Sequence, residues 1–346
     1  MSVSFSSPAY GSALPNFLSA PTAAPVSSYE PAPWTVDLFS STGATTPAPA
    51  PLTPAFTMPQ ANQVLKELRA ELKQLIKAFG PAAPSTPTAP TAPTPAPHAN
   101  GATDFVISSF NILSSSAGAA KGAAPAAQRM QGVVDFLHQH NVSVVGMQEM
   151  KTDQLADFKR LAGNEYDVFT GVSGFKNYYD AALAWRKDTW SLVSSGRFTV
   201  PSYFGIASQV PYVCLRNKQT GQEAYFVDAH NPTNTAKRHH QEGYRAQAAT
   251  DEAAFVKQLE QQTGLPVFMV GDMNSVQPAY DTFTKGAPLV AANAQGGKLK
   301  HPGIDWIFGT KGVSFSGFQR LRDALVQRTT DHSVPFATAH IPASKS

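Results

Sequence analysis

Proline is distributed so unevenly along this chain that a compact fold is confined to its C-terminal part. Of 28 prolines, 18 fall in residues 1–100 and only 10 in residues 101–346. Proline has no amide hydrogen for a helix or a ladder, and it pushes the preceding residue out of the helical region. Residues 1–58 combine it with Ser, Ala and Thr and carry only two charges, Glu30 and Asp37. Such a segment cannot bury enough apolar surface to order itself, and it reads as a low-complexity, disordered arm. Its aromatics, among them Phe17, Tyr29 and Trp34, leave open an extended arm that docks on a partner. Residues 59–80 differ. Leu65, Leu68, Leu72, Leu75 and Phe79 recur at alternating intervals of three and four, which sets them on one helical face. Pro59 suits a first turn and Gly80-Pro81 a stop. A helix this short is marginal alone in water. Its stripe is expected to self-associate, to dock on a protein partner or to pack on the chain's own domain. Residues 81–103 read as a semi-rigid Pro/Ala/Thr linker. The compact domain is expected over residues 104–346, long enough to bury a sizeable core.

Charge and cysteine content exclude several classes. A net charge of +3 is too small to demand a nucleic-acid partner, whose usual sign is a basic patch. The single cysteine, Cys214, excludes an intrachain disulfide framework and a cysteine-based zinc site. No apolar run approaches a membrane span. The N-terminus, MSVSFSSPAYGSALPNF, has neither the basic nor the apolar region of a conventional secretory signal. The compartment stays open between the cytoplasm and non-classical export or virion association.

From Asp104 the texture becomes that of an α/β domain. DFVISSF, VSVVGMQ, YDVFTG, AALAWRK, VPYVCLRN, EAYFVDAH, PVFMVGD and GIDWIFG are short and rich in β-branched and aromatic residues, as strands are. AAQRMQGVVDFLHQH reads as a helix, and TAKRHHQEGYRAQAATDEAAFVKQLEQ as a longer helical stretch. RNKQTGQEA reads as a hairpin turn. Strands outnumber helices, which argues against a doubly wound parallel sheet.

The apolar runs end in polar residues. FVISSF leads to Asn111, VSVVGM to Gln148-Glu149, EAYFVDA to His230-Asn231, and PVFMV to Gly271-Asp272-Met273-Asn274. Ile304 leads into Asp305, and Thr330-Asp331-His332 precedes another apolar stretch. Singly, each suits a turn, because Asn and Asp side chains bond nearby backbone. An Asp inside an apolar run, such as Asp305, needs a partner. Six such sites together point to a constructed polar site at strand ends. Glu149, Asp331 and Asn111 are hard oxygen donors that suit Mg²⁺ or Mn²⁺ rather than zinc. Histidines beside a phosphate can protonate or hydrogen-bond its oxygens. No phosphate-binding glycine loop and no Gly-X-Ser-X-Gly elbow occurs. Metal-assisted hydrolysis of a phosphate ester is the chemistry this inventory supports.

The ordered set FNIL, MQE, DAHNP, VGDMN, IDWIF and TTDHS resembles the endonuclease/exonuclease/phosphatase superfamily, the fold of deoxyribonuclease I. With AWR, HNP and IDWIFG the chain is most similar to an uncharacterised bacterial and phage-associated group. The resemblance implies a four-layer α-β-β-α sandwich of two mixed β-sheets over roughly residues 104–340. It implies Glu149 as principal metal ligand, helped by Asn111 and Asp331. Asp272 is then expected to orient or deprotonate the attacking water. Asn274 and His230 are expected at the scissile phosphate, with His332 beside it and held by Asp305. Lys176, Asn177, Asn231, Lys237 and Arg238 are the candidate substrate contacts. The leading expectation is a Mg²⁺-dependent phosphodiesterase of nuclease type. The alternatives are a phosphomonoesterase, a lipid phosphodiesterase, and an assembly or binding protein that reuses the fold.

Overall fold

In a computed structural model of the protein, residues 101–295 and 297–343 are described. They fall within a compact unit spanning Pro87–Ser346. The expectations for the arm of residues 1–58, the helix of 59–80 and most of the linker lie outside the described residues.

Two six-stranded mixed sheets form the centre. The first has β13 (Ser314–Leu321), β14 (Val334–Ile341), β1 (Thr103–Asn111), β2 (Val142–Lys151), β4 (Tyr178–Arg186) and β3 (Tyr166–Thr170) side by side. The second has β5 (Trp190–Pro201), β6 (Ala207–Asn217), β7 (Glu223–His230), β8 (Val267–Asp272), β12 (Asp305–Thr310) and β9 (Leu289–Ala291). A small hairpin pairs β10 (Ala294–Gln295) with β11 (Lys298–Leu299). Only β1–β2 and β7–β8 pair in parallel; the other neighbours are antiparallel.

The helices are α1 (Ser115–Ala120), α2 (Ala126–Gln139), α3 (Thr152–Ala162), α4 (Glu242–Thr263), α5 (Gln277–Asp281) and α6 (Ala324–Thr329). Three apolar clusters define the four layers. Phe105, Ile107, Val144, Leu183 and Trp185 of the first sheet interleave with Val213, Leu215, Phe226, Phe268 and Ile307 of the second. Met130, Val133 and Leu137 of α2 and Phe158 of α3 cover the outer face of the first sheet. Ala249, Ala253 and Val256 of α4 cover that of the second. Strands packed on both faces need apolar residues at successive positions, which is why VSVVGM and PVFMV read as continuous runs.

All eight strands expected from the sequence are present, and RNKQTGQEA is the turn between β6 and β7, where Asn217 Oδ1 accepts the amides of Gln219 and Thr220. Four elements in particular differ from expectation. β5 and β13 are edge strands with mostly exposed or half-exposed residues, so they lack the apolar density that marks a strand. TDQLADFKRLA is the helix α3, with Leu155, Phe158 and Ala162 buried. The long helical stretch begins at Glu242 rather than near Thr235, because Thr235 and Arg238 pair through backbone hydrogen bonds in a tight loop. No helix among the described residues is long and apolar enough to cross a membrane.

Candidate active site

Strand register assembles the site. On the second sheet His230 is opposite Asp272 and Asp272 opposite Asp305, so the ends of β7, β8 and β12 form one row. On the first sheet Asn111 is opposite Gln148, and Asp180 on β4 is opposite Met150. Glu149 lies at a register shift in β2 and has φ 64°. A bulge with a left-handed residue re-aims a side chain out of the strand alternation. Glu149 from the first sheet and His230 and Asp272 from the second line a cleft of about 540 Å³.

Asp272 is the hub. Its Oδ1 accepts the Asn274 amide at 2.9 Å and its Oδ2 accepts Asn111 Nδ2 at 3.0 Å. Two histidines point their Nε2 atoms at Oδ2, His230 from 3.7 Å and His332 from 3.8 Å. Each is held from behind by a carboxylate, His230 Nδ1 by Asp180 at 2.6 Å and His332 Nδ1 by Asp305 at 3.1 Å. Burial pulls both imidazoles down, but the ion pairs outweigh it. His332 rises to about 9, and His230 is held well above its ordinary value. Burial, reinforced by Asp305, pushes Asp272 up to about 6 against the pull of the two histidines. The site thus presents two imidazolium groups and a carboxylate that ionises close to neutral pH.

Glu149 accepts the Ser114 amide at 2.9 Å and Asn111 Nδ2 at 3.2 Å. Burial opposes its ionisation, yet His230 and these donors hold its carboxyl below the ordinary range. Asp331 is also held low despite partial burial, chiefly by the ammonium of Lys121, which pairs with its Oδ2. Thr330 ties the Asp331–His332 turn to β1 by donating to Asn111 O at 2.7 Å. Glu149 and Asp331 both face the cleft as ionised oxygen donors, a set that fits a hard divalent cation. Asp272, Asp305 and His332 also bring ligand atoms within 4.8 Å of one another. His332 is protonated and paired there, so that group fits a cation less well.

The structure places four of the candidate residues differently. Asn111 turns its amide nitrogen to Glu149 and Asp272, while its oxygen accepts the Leu113 amide at 3.0 Å. It orients carboxylates rather than offering a ligand atom. Asn231 is buried and donates to Glu252 at 3.0 Å, away from the cleft. Its backbone oxygen instead accepts Asn274 Nδ2 at 2.8 Å. Asn177 is a turn residue at φ 56°, and Lys237 is exposed; neither lines the cleft. Lys176 and Arg238 do line it.

The sequence reading passed over Asp180, although an Asp inside YYDAALAW carries the same signal as Asp305. It gave Gln148 no role beyond a polar strand end and passed over Asp228. Gln148 Nε2 donates to Asp228 Oδ1 at 2.6 Å, joining the two sheets directly behind the site. Asp228 also accepts the Ala182 amide at 3.0 Å, and full burial pushes its carboxyl well above the ordinary range. Lys121 lies in a stretch of small residues with nothing in its pattern to mark it.

The four layers and this polar cleft define a phosphoester-hydrolase architecture. The endonuclease/exonuclease/phosphatase family model matches residues 108–332, most of the chain, and the protein belongs to that family. No curated protein matches the sequence. Among solved structures it is similar to an endonuclease/exonuclease/phosphatase family protein from Bacteroides thetaiotaomicron, with TM-score 0.58 and 19% identity over 71% of this chain and 99% of that one. A mannosyl-6-phosphatase of the same organism aligns with TM-score 0.54 and 20% identity, covering 68% and 99%. D. rerio TDP2, solved with a single-strand DNA product, aligns with TM-score 0.51 and 15% identity, covering 68% and 99%. At these identities the likeness concerns the fold.

Proposed function

We propose that the protein is a divalent-metal-dependent phosphodiesterase of nuclease type. The observation that carries this reading is the convergence of two carboxylate-held imidazoles, 3.7 and 3.8 Å away, on one oxygen of Asp272. Hydrolysis needs a base for water, cationic donors for the phosphoryl oxygens and a proton for the leaving oxygen. Asp272 takes the proton of the attacking water. The water oxygen bonds to phosphorus and the ester P–O bond breaks. His230 and His332 donate through Nε2 to the phosphoryl oxygens, and one imidazolium returns a proton to the departing oxygen. Asn274, fixed by Asn231 O, adds a donor at the phosphate.

Glu149 and Asp331 are the residues that would hold the metal, with Asn111 orienting Glu149. A Mg²⁺ or Mn²⁺ ion supplies charge neutralisation at the phosphoryl group.

The test is hydrolysis of bis(p-nitrophenyl) phosphate and of p-nitrophenyl phosphate by the full chain with Mg²⁺. The diester is expected to be the better substrate. EDTA should abolish turnover, and Glu149→Gln should weaken metal affinity and rate together. Undiminished hydrolysis in EDTA overturns the metal-dependent reading, and a clear preference for the monoester favours a phosphatase.

A further inference from the structure

One wall of the cleft has features that the reaction itself does not require. Phe175, Lys176, Tyr203 and Arg238 line it. The Arg238 guanidinium lies 4.1 Å from the ring centre of Tyr203 and 5.6 Å from that of Phe175. The two rings meet edge to face at 6.3 Å. Among the described residues no carboxylate pairs with Arg238 or Lys176. Elsewhere in the cleft, the Lys121 ammonium pairs with Asp331 in this structure. This wall therefore holds two cations that no protein anion neutralises.

The wall is built rather than draped. Buried Gln241 ties its two halves together. Gln241 Oε1 accepts the Phe204 amide at 2.9 Å, next to Tyr203, and its Nε2 donates to His239 O at 2.6 Å, next to Arg238. Asn234 Oδ1 accepts the Gln241 amide at 2.8 Å, and Thr235 and Arg238 exchange backbone hydrogen bonds of 2.9 and 3.1 Å. Phe204, next to the lining residue Tyr203, is held at φ 58° and is 54% exposed. A bulky residue in the left-handed region is strained and persists only where its surroundings enforce it.

Stacking orients a guanidinium and covers its faces, leaving its edge donors for a planar oxyanion fork. A phosphate fits that fork, and a second cation beside it suits a group carrying more than one negative charge. Of the rings here Tyr203 is buried under Arg238, but Phe204 is exposed next to these cations, and such a ring takes a planar base. Resting on the phosphodiesterase reading, we propose that this wall is a subsite for a second, non-scissile phosphate on a nucleotide-type substrate. The second phosphate could belong to a free nucleotide or to a strand.

The experiment measures binding, so it stands apart from turnover. Full-length protein carrying Asp272→Asn, to suppress turnover, is titrated calorimetrically with thymidine 5′-monophosphate, thymidine 3′,5′-bisphosphate and an eight-residue oligothymidylate. The bisphosphate is expected to bind at least about tenfold more tightly than the monophosphate, the scale of one charge-assisted contact. Arg238→Ala should bring that ratio close to one, and Arg238→Lys should restore part of it. Exposed Lys176→Ala, which cannot unfold the chain, should lower the ratio as well. An oligomer that binds more tightly than the bisphosphate assigns the subsite to a strand, and equal affinity assigns it to a free nucleotide. A ratio near one in the parent, or one unmoved by both Arg238→Ala and Lys176→Ala, overturns the subsite. If bis(p-nitrophenyl) phosphate is hydrolysed while the ratio is one, the phosphodiesterase reading survives and the subsite does not. If the diester is not hydrolysed but the ratio holds and falls with Arg238→Ala, the subsite survives alone.

Discussion

Asp272 is asked to be buried, ionised and free to take a proton. Burial alone raises a carboxyl, and two facing imidazolium groups pull it back, leaving it at about 6. A base that titrates just below neutrality is well matched to its task. Asp272→Asn keeps the shape and removes the proton acceptor. The turnover number should fall by a factor on the order of 10²–10⁴, the usual size of general-base catalysis, while KM changes little. In the parent protein the rate should rise with pH through about 6 as Asp272 ionises. A variant with near-normal kcat assigns Asp272 to a turn rather than to the chemistry.

At the scale of elements, helix α4 is pinned to the β7 end by one buried contact, Asn231 to Glu252 at 3.0 Å. Burial raises Glu252 to about 8 from an ordinary 4.5, partly relieved by Asn231. The folded state thus holds this proton more tightly than the unfolded chain does. The resulting stability is complete below pH 4.5 and is lost as pH rises towards 8. The loss is a few kcal/mol, at about 1.4 kcal/mol per unit. Glu252→Gln keeps an acceptor for Asn231 and cannot ionise. Its melting temperature relative to the parent should climb between pH 4.5 and 8. A constant offset across that range, measured by calorimetry, refutes the argument.

The two sheets offer a second test at the same scale. A Cβ at Gly146 of β2 would run into Val270 of β8 and the Asp228 carboxylate. Overpacking of this kind costs about 1–3 kcal/mol. Gly146→Ala should lower the denaturant midpoint, and because Gln148 and Asp228 lie directly behind the site it should lower kcat as well. Unchanged stability would show that the sheets can part there without cost.

For the whole molecule, residues 101–343 contain three apolar clusters and both rows of site residues. Every residue given a role in the proposed reaction lies within residues 101–343. Their deletion is expected to leave kcat on bis(p-nitrophenyl) phosphate within about twofold, the scatter of a few tenths of a kcal/mol. If the full chain self-associates through Leu65, Leu68, Leu72, Leu75 and Phe79, sedimentation should show the oligomer lost on deletion. Loss of folding in the truncated protein would make that helix part of the domain instead.

Strands packed between layers were legible as runs such as VSVVGM and PVFMV because burial on both faces demands apolar residues at every position. Edge strands β5 and β13 were not, since one side of each faces solvent or a loop and the chain is free to be polar there. The polar strand ends were legible for the same reason in reverse: Asn111, Glu149, His230, Asp272 and Asp305 stand out against apolar neighbours. Which of them meet was settled by register and by the bulge at Glu149. Sequence patterns are local, and contacts such as Asp180 with His230, or Gln148 with Asp228, span 50 and 80 residues. The direction of a side chain is likewise a tertiary matter. Asn231 faces Glu252 because helix α4 packs behind it, and Arg238 lies on Tyr203 because Gln241 joins their loops. The chain by itself determined which residues could do phosphoryl chemistry. Only the packing of two sheets face to face decided which of them meet at one cleft, because that depends on distances no local pattern encodes.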